Sequence, residues 1–275
     1  MSSHPILLII SLNKEDWQDE MYKKQFDLLK SQSDLTLKEV LTATEASESL
    51  KSLKPGTVLI TTSSFAKHPP LCTQTVEYAK AGGTVIIACL FSSMIRPPDF
   101  DKFFKRYWGL EWKFANYHRN TYILNGRRNA RLKQNENEEN SKRKMPDEYC
   151  LKAVIVSGAK RDDMVYRPAP ETYDPNESPL LFTSIGKGYL GYIGDVNAEE
   201  EQGKVILAMC NLSKSPDVEY PPAARPENGE VKTCKVCGKE GNVRKCGQCL
   251  KAAYCSRDCQ ADDWKKHKKE CVQAT

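Results

Sequence analysis

Seven of the eleven cysteines in this 275-residue chain lie between residues 234 and 271. With one histidine they form four closely spaced pairs: Cys234 and Cys237, Cys246 and Cys249, Cys255 and Cys259, and His267 and Cys271. A C-x2-C turn directs two thiolates at one ion, and residues four apart share a helix face. Eight sulfur and imidazole ligands suffice for two closed tetrahedral shells, the arrangement of structural zinc. The sequence therefore predicts two Zn²⁺ per chain, and metal binding rather than apolar burial would fold this short segment.

The other four cysteines are scattered through the first 230 residues, and we interpret them as small buried apolar side chains. They are Cys72, Cys89, Cys150 and Cys210.

The apolar run Ile6–Ile10 lacks a preceding basic region, so it predicts a buried strand rather than a signal peptide. With no run approaching the roughly 18 apolar residues of a membrane span, we expect an intracellular protein, in cytoplasm or nucleus, that does not associate with membranes.

The end of the chain resembles the MYND zinc finger, because the run from Cys259 reads Cys-Gln-x3-Trp-x2-His-Lys. The resemblance implies a cross-brace in which the ligands of the two ions interleave along the chain. Cys234, Cys237, Cys255 and Cys259 would hold the first zinc, and Cys246, Cys249, His267 and Cys271 the second.

The resemblance also implies a function, since MYND fingers bind short proline-rich peptides and catalyse nothing. In the family, the residues matching Gln260 and Trp264 line the peptide groove. The alternatives are that Trp264 forms the small core of the finger and that Gln260 is a solvated helix residue. Gly247 stands where some peptide-binding members carry serine, which could change affinity or motif preference.

The finger region is basic, with 11 Lys/Arg against 5 Asp/Glu from Val231 to Thr275. Nucleic-acid binding through this tail is an alternative function. Seven thiolates and two zinc ions would lower the charge of the tail from +6 to about +3, so basic character is weak evidence for it. The lysines at 265, 266, 268 and 269 predict a basic helix face, either solvated or facing an acidic partner.

Residues 1–215 alternate between apolar runs and amphipathic segments, which predicts an α/β domain with a doubly wound, mainly parallel sheet. Strands are expected at 6–12, 35–40, 57–62, 84–91, 112–117, 151–156, 180–185 and 189–194, with helices between the first four. Thr42 and Glu45 predict a capping box, and Gly186-Lys187-Gly188 a hairpin turn. A charged insertion is expected at 126–148, a Pro-rich linker at 216–230, and the finger at 231–275.

The run from Gly82 to Cys89 is similar to class I glutamine amidotransferase-like folds, whose catalytic cysteine sits on a sharp turn after a strand. That family places glycines where this chain has Ile87 and Phe91, and its His-x-Glu pair has only His118 as a counterpart before the finger. We therefore expect Cys89 to be a packed strand residue and the chain not to be an enzyme. The alternative is a hydrolase or amidotransferase-like enzyme that uses the finger for targeting.

Overall fold

The computed structural model divides the chain into two compact units, Met1–Pro216 and Asp217–Thr275. It describes residues 4–54, 56–125, 145–168, 174, 176–212, 233–238, 244–246, 249, 252–255 and 257–271. The predicted linker at 216–230 lies outside these residues. So does most of the predicted insertion, although Met145 at its end is buried and Asp147 accepts a hydrogen bond through its carbonyl from the backbone N–H of Leu124.

Nine strands lie among the described residues of the first unit. They are β1 (Ile6–Ile10), β2 (Thr36–Val40), β3 (Thr57–Ile60), β4 (Thr84–Ile87), β5 (Lys113–Leu124), β6 (Glu148–Ser157), β7 (Tyr166–Pro168), β8 (Leu180–Ile185) and β9 (Gly188–Ile193). Six of them form one sheet in the order β2-β1-β3-β4-β9-β8, parallel except for the β8–β9 hairpin. The predicted mainly parallel sheet is confirmed.

The described helices of the first unit connect these strands, except the last, which follows β9. They are α1 (Trp17–Met21), α2 (Lys23–Lys30), α3 (Ala43–Ser52), α4 (Pro69–Lys80), α5 (Leu90–Met94), α6 (Pro97–Phe103) and α7 (Gln202–Leu212), with a 3₁₀ turn at Ser63–Lys67, another at Arg161–Asp163 and a π-turn at Phe104–Trp108. The Thr42 hydroxyl accepts from the Glu45 N–H at 3.2 Å, and the Glu45 carboxylate accepts from the Thr42 N–H at 3.3 Å. This is the predicted capping box, which fixes the start of α3.

Side chains of the central strands alternate between two buried cores because successive strand residues point to opposite faces. Leu8 and Ile10 join a core that includes residues of α3, α4 and α6. Leu7 and Ile9 join a second core that includes residues of α2 and α7. Helices therefore cover both faces of the sheet, as the continuous apolar strands predict.

A second, antiparallel sheet has the order β6-β5-β7. The predicted strand at 112–117 is in fact the first part of β5, which continues to Leu124 and pairs with β6 over ten residue pairs. Most side chains of β5 are exposed or only partly buried. The pattern of apolar residues therefore does not mark the full length of the strand.

The fourth predicted strand is too long, because β4 ends at Ile87. Cys89 adopts φ 58° and ψ −134°, and α5 begins at the next residue. The backbone N–H of Phe91 turns back to the carbonyl of Thr61 at 2.9 Å. The chain thus makes a sharp turn from strand to helix at Cys89. The residue is packed in the core, as expected, but the expectation that it lies within the strand is wrong. In the described part of the chain, no helix combines the length and hydropathy needed to cross a bilayer.

Candidate metal centres

A short hairpin and one helix position the cysteine pairs of the second unit. The hairpin pairs β10 (Arg244–Lys245) with β11 (Ala253–Tyr254), and the helix is α8 (Arg257–His267). The turn after Cys234 is held by two backbone bonds, from Lys235 N–H to the Ala253 carbonyl at 2.8 Å and from Gly238 N–H to the Cys234 carbonyl at 2.9 Å. Gly238 has φ 68°, a conformation that L side chains rarely adopt, so a glycine closes this turn.

Four thiols form the first group: Cys234, Cys237, Cys255 and Cys259. The first two lie in the turn before the hairpin, the third directly follows β11, and the fourth lies in the first turn of α8. Their sulfur atoms all lie within 4.8 Å of one another. The Sγ of Cys255 is 3.4 Å from that of Cys237 and 3.6 Å from that of Cys259. The first and third pairs along the sequence therefore meet.

The second group joins three thiols to an imidazole: Cys246, Cys249, His267 and Cys271. The Sγ atoms of Cys246 and Cys271 are 3.7 Å apart, and the Sγ of Cys249 is 3.5 Å from the Nε2 of His267. Cys246, Cys249 and His267 are buried. The second and fourth pairs therefore meet, and this is the interleaving that the resemblance implies.

These spacings fit tetrahedral zinc. Zn–S bonds of about 2.3 Å and Zn–N bonds of about 2.0 Å place two sulfurs about 3.8 Å apart and a sulfur and a nitrogen about 3.5 Å apart. A set of four thiolates and a set of three thiolates with one imidazole are both typical of structural zinc. The two groups thus have the composition and the size to hold two zinc ions.

Contacts between the thiols and their burial raise the pKa values of two of these cysteines. The pKa of Cys255 is raised to about 12, mainly by hydrogen bonding with Cys237. The pKa of Cys271 is raised to about 11, mainly by burial. The backbone N–H of Cys237 is the main cause that lowers the pKa of Cys234 to about 6. A divalent ion would offset the repulsion between thiolates and stabilise all of them as anions.

Polar side chains outside the ligand set connect α8 to the hairpin. The Tyr254 hydroxyl donates to Asp263 at 2.7 Å, and the Lys235 ammonium lies 3.1 Å from the same carboxylate. The hydrogen bond from Tyr254 is the main cause of the lowered pKa of Asp263. Tyr254 and Lys235 lie 9 and 28 positions before Asp263 and show no spacing pattern, so the sequence does not predict the contact.

Trp264 and Gln260 lie on α8, one helical turn apart. The Trp264 ring packs against the imidazole of His267 with centroids 6.0 Å apart, yet 42% of the residue remains exposed. Gln260 is half-buried. Lys266, Lys268 and Lys269 are exposed, whereas Gly247 and the Lys265 side chain lie outside the described set.

The family profile described as "MYND finger" matches residues 234–271. Residues 234–271 are a MYND finger. The match starts at the first cysteine of the first group and ends at the last cysteine of the second. The predicted family of this segment is confirmed, and MYND fingers are protein-interaction modules.

Known relatives match this chain over about the length of the finger. The chain is similar to Egl nine homolog 1 of Mus musculus (47% identical over 38 residues), Dauer abnormal formation protein 25 of Caenorhabditis elegans (55% over 38 residues) and the Zinc finger MYND domain-containing protein 10 homolog of Drosophila melanogaster (46% over 41 residues). These matches cover 14–15% of this chain and only 9–10% of each relative. The similarity therefore concerns the finger and not the activity of the whole relatives.

Solved structures resemble the chain over a longer stretch at low identity. A putative ThuA-like protein from Bacteroides uniformis ATCC 8492 has a TM-score of 0.48 and 11% identity, covering 79% of this chain and 95% of that one. A β-galactosidase from Bacillus circulans sp. alkalophilus has a TM-score of 0.49 and 13% identity, covering 76% and 31%. The resemblance of the first unit to class I glutamine amidotransferases stays a prediction.

Cys89 lies beside Gln202 in the first unit. Its thiol lies 3.9 Å from the amide oxygen of Gln202, and 2% of the residue is exposed. Burial raises the pKa of this thiol well above its usual range, and the charge of Asp195 adds to the effect. The Nε2 of His118 lies 3.1 Å from the Tyr122 hydroxyl. The turn at Cys89 therefore has the shape of a nucleophile elbow, and the thiol that it carries is buried.

The backbone at Cys89 gives a prediction about stability. Because a residue with a Cβ is strained by about 1–3 kcal/mol in sparsely populated backbone regions, Cys89→Gly should be more stable than Cys89→Ala by about 1 kcal/mol. The adjacent Ala88, which is not among the residues with positive φ, is the matched control, and Ala88→Gly should be less stable than the wild type. Urea unfolding of the variants measures both differences. An alanine variant at 89 more stable than the glycine variant would show that the turn carries no strain.

Proposed function

We propose that this chain is a zinc-dependent adaptor whose MYND finger binds a proline-rich segment of a partner protein. The observation that carries the proposal is the exposed Trp264 ring, which packs on the metal-binding His267. An indole held on one side by a zinc ligand and open on the other is a rigid platform for an extended, hydrogen-bond-poor segment such as polyproline II.

Two neighbours extend this platform. Gln260 lies four residues before Trp264 and so shares its helix face, where its amide can pair with a peptide backbone. Val236, which is 43% exposed, sits in the turn whose Lys235 is ion-paired with Asp263 of α8. That ion pair supports placing an apolar side chain of the turn near the helix that carries Trp264.

We propose no catalytic role for the first unit at Cys89. A thiol acts as a nucleophile through its thiolate, which burial disfavours here. The amide of Gln202 beside it cannot accept and return a proton as an imidazole does. We also propose an intracellular location, in cytoplasm or nucleus, where the ligand thiols stay reduced.

Trp264→Ala is expected to weaken binding of a proline-rich peptide, selected by display on the full-length protein, by about thirtyfold, as for a central aromatic contact. Fluorescence polarisation of the labelled peptide measures the Kd, and zinc content is measured on the same sample. Trp17→Ala is the matched control, since Trp17 is a 51% exposed tryptophan of the first unit. Wild-type affinity in Trp264→Ala, with two zinc ions retained, would refute the groove assignment.

A further inference from the structure

A cleft of about 540 Å³ opens in the first unit near the carboxyl ends of β3 and β4. Its walls come from the 3₁₀ turn that follows β3, from the end of α5, and from α6 with the π-turn that continues it. The residues on which the argument rests are Lys67, Met94, Arg96, Lys102, Arg106 and Tyr107. The cleft has the volume of a small-molecule site, and ligands of open α/β sheets bind at this edge.

The crevice between β1 and β3, where the strand order reverses, is closed by protein hydrogen bonds. The buried Thr61 hydroxyl lies 2.8 Å from the Ser11 hydroxyl, and the Thr62 hydroxyl donates to the Leu12 carbonyl at 2.8 Å. The open space therefore lies one strand further along the sheet, above β3 and β4. Cys89, which follows β4, is not among the residues that line the cleft.

The floor of the cleft is aromatic and tightly packed. Phe103 contacts Phe91 and Tyr107 with ring centroids 5.1 and 5.6 Å apart, and it meets Phe65 edge-on at 6.4 Å. Met94 is exposed beside this floor. A rigid apolar surface of this kind accommodates the non-polar part of a ligand.

The rim of the cleft carries four cations and one carboxylate. Asp99 engages Arg96 at 2.7 Å, which leaves Lys67, Lys102 and Arg106 with no carboxylate partner in the described part of the chain. Lys102 and Arg106 also line an adjoining cavity of about 460 Å³. Arg106 lies over the Tyr107 ring at 5.5 Å, which orients its guanidinium.

This positive charge is local. Residues 1–230 carry 30 Lys/Arg against 31 Asp/Glu, so the cations of the cleft do not reflect a generally basic surface. Arg106 is also part of a π-turn, a rare element that recurs at functional sites. Local cations above an apolar floor are complementary to an anion that carries an apolar group.

We propose that this cleft binds a small organic phosphate, with its phosphate on Lys102 and Arg106 and its apolar part against Met94 and Tyr107. Arginine offers a bidentate fork to phosphate oxygens, and lysine adds a mobile point charge. The size of the cleft favours a small molecule over an extended chain. All residues that line the cleft belong to the first unit.

The test uses the full-length, zinc-loaded protein and 1-naphthyl phosphate as probe, titrated by calorimetry at low salt. Inorganic phosphate and 1-naphthol are titrated in parallel, because they test the charge and the aromatic group separately. We expect 1-naphthyl phosphate to bind more tightly than either, and added salt to weaken its binding. No heat at millimolar probe, or equal binding of 1-naphthol, would overturn the proposal.

Charge reversal locates the site. Lys102→Glu combined with Arg106→Glu should raise the Kd by at least about tenfold, because two charge-assisted contacts become repulsive. Lys51→Glu, at an exposed helical lysine elsewhere in the unit, and Lys268→Glu, in the finger, should leave it unchanged. Unchanged affinity in the double variant, or equal loss in either control, would place the probe elsewhere and refute the site. Lys102→Gln and Arg106→Gln each remove one positive charge without reversing it. Unaltered binding in both of these variants would also refute the site.

Discussion

Removal of zinc with a chelator is expected to unfold residues 234–271 and to leave the Met1–Pro216 unit folded. Among the described residues of the finger, the buried apolar side chains are three cysteines and Tyr254, too few to offset the entropy of folding. Zinc contributes about 10–16 kcal/mol in comparable fingers, so nearly all the stability of this unit depends on the metal. Amide NMR spectra before and after chelation would follow the two units separately.

Substitution of a single metal ligand tests the dependence on zinc at one residue. Cys246→Ser should lower the zinc content from two ions to one or fewer, since a hydroxyl is a poor replacement for a thiolate ligand. Cys150→Ser is the matched control, because Cys150 is an exposed cysteine of the first unit outside both groups. Metal analysis of the purified proteins decides the matter. Two ions retained in Cys246→Ser would exclude Cys246 from the ligand set.

Asp195→Ala is expected to destabilise the first unit by about 3 kcal/mol, because one buried and two part-buried donors would lose their acceptor. The fully buried carboxylate accepts from the Tyr149 hydroxyl at 2.5 Å and from the backbone N–H groups of Asn197 and Glu199 at 2.9 and 3.0 Å. Burial raises the pKa of Asp195, and these hydrogen bonds oppose the increase. The residue links β6 of the second sheet to the loop between β9 and α7.

Urea unfolding measures this loss, and a double-mutant cycle assigns it. Tyr149→Phe alone should cost less, and the double variant should cost less than the sum of the two single ones, since both remove one shared contact. Asp27→Ala is the control, because Asp27 forms an exposed ion pair with Lys23 and its loss should hardly move the midpoint. A loss below about 1 kcal/mol for Asp195→Ala would mean that water replaces the lost acceptor.

Local patterns explain how much of the fold is predictable. The continuous apolar runs in β1, β3 and β4 predict strands buried on both faces, and the structure places them at the centre of the sheet. The capping box at Thr42 is equally local, since both of its bonds join residues three apart. The antiparallel β5–β6–β7 sheet is not predictable in this way, because its register depends on residues distant in the chain, such as Ile123 paired with Glu148 and Tyr122 paired with Pro168.

Metal ligands are the part of the site that the sequence by itself determines, because chelating pairs must be close in the chain and a closed zinc shell needs four ligands. The MYND family and the two-zinc composition follow from residues 234–271 alone. Tertiary structure alone decides the turn at Cys89, whose φ of 58° depends on bonds between β4, β3 and α5. It also decides the cationic cleft, since Lys67 and Lys102 are 35 residues apart and line one cleft only because the 3₁₀ turn after β3 and α6 lie side by side. Chelation is a short-range property of the chain, whereas a cleft is a property of how distant elements pack.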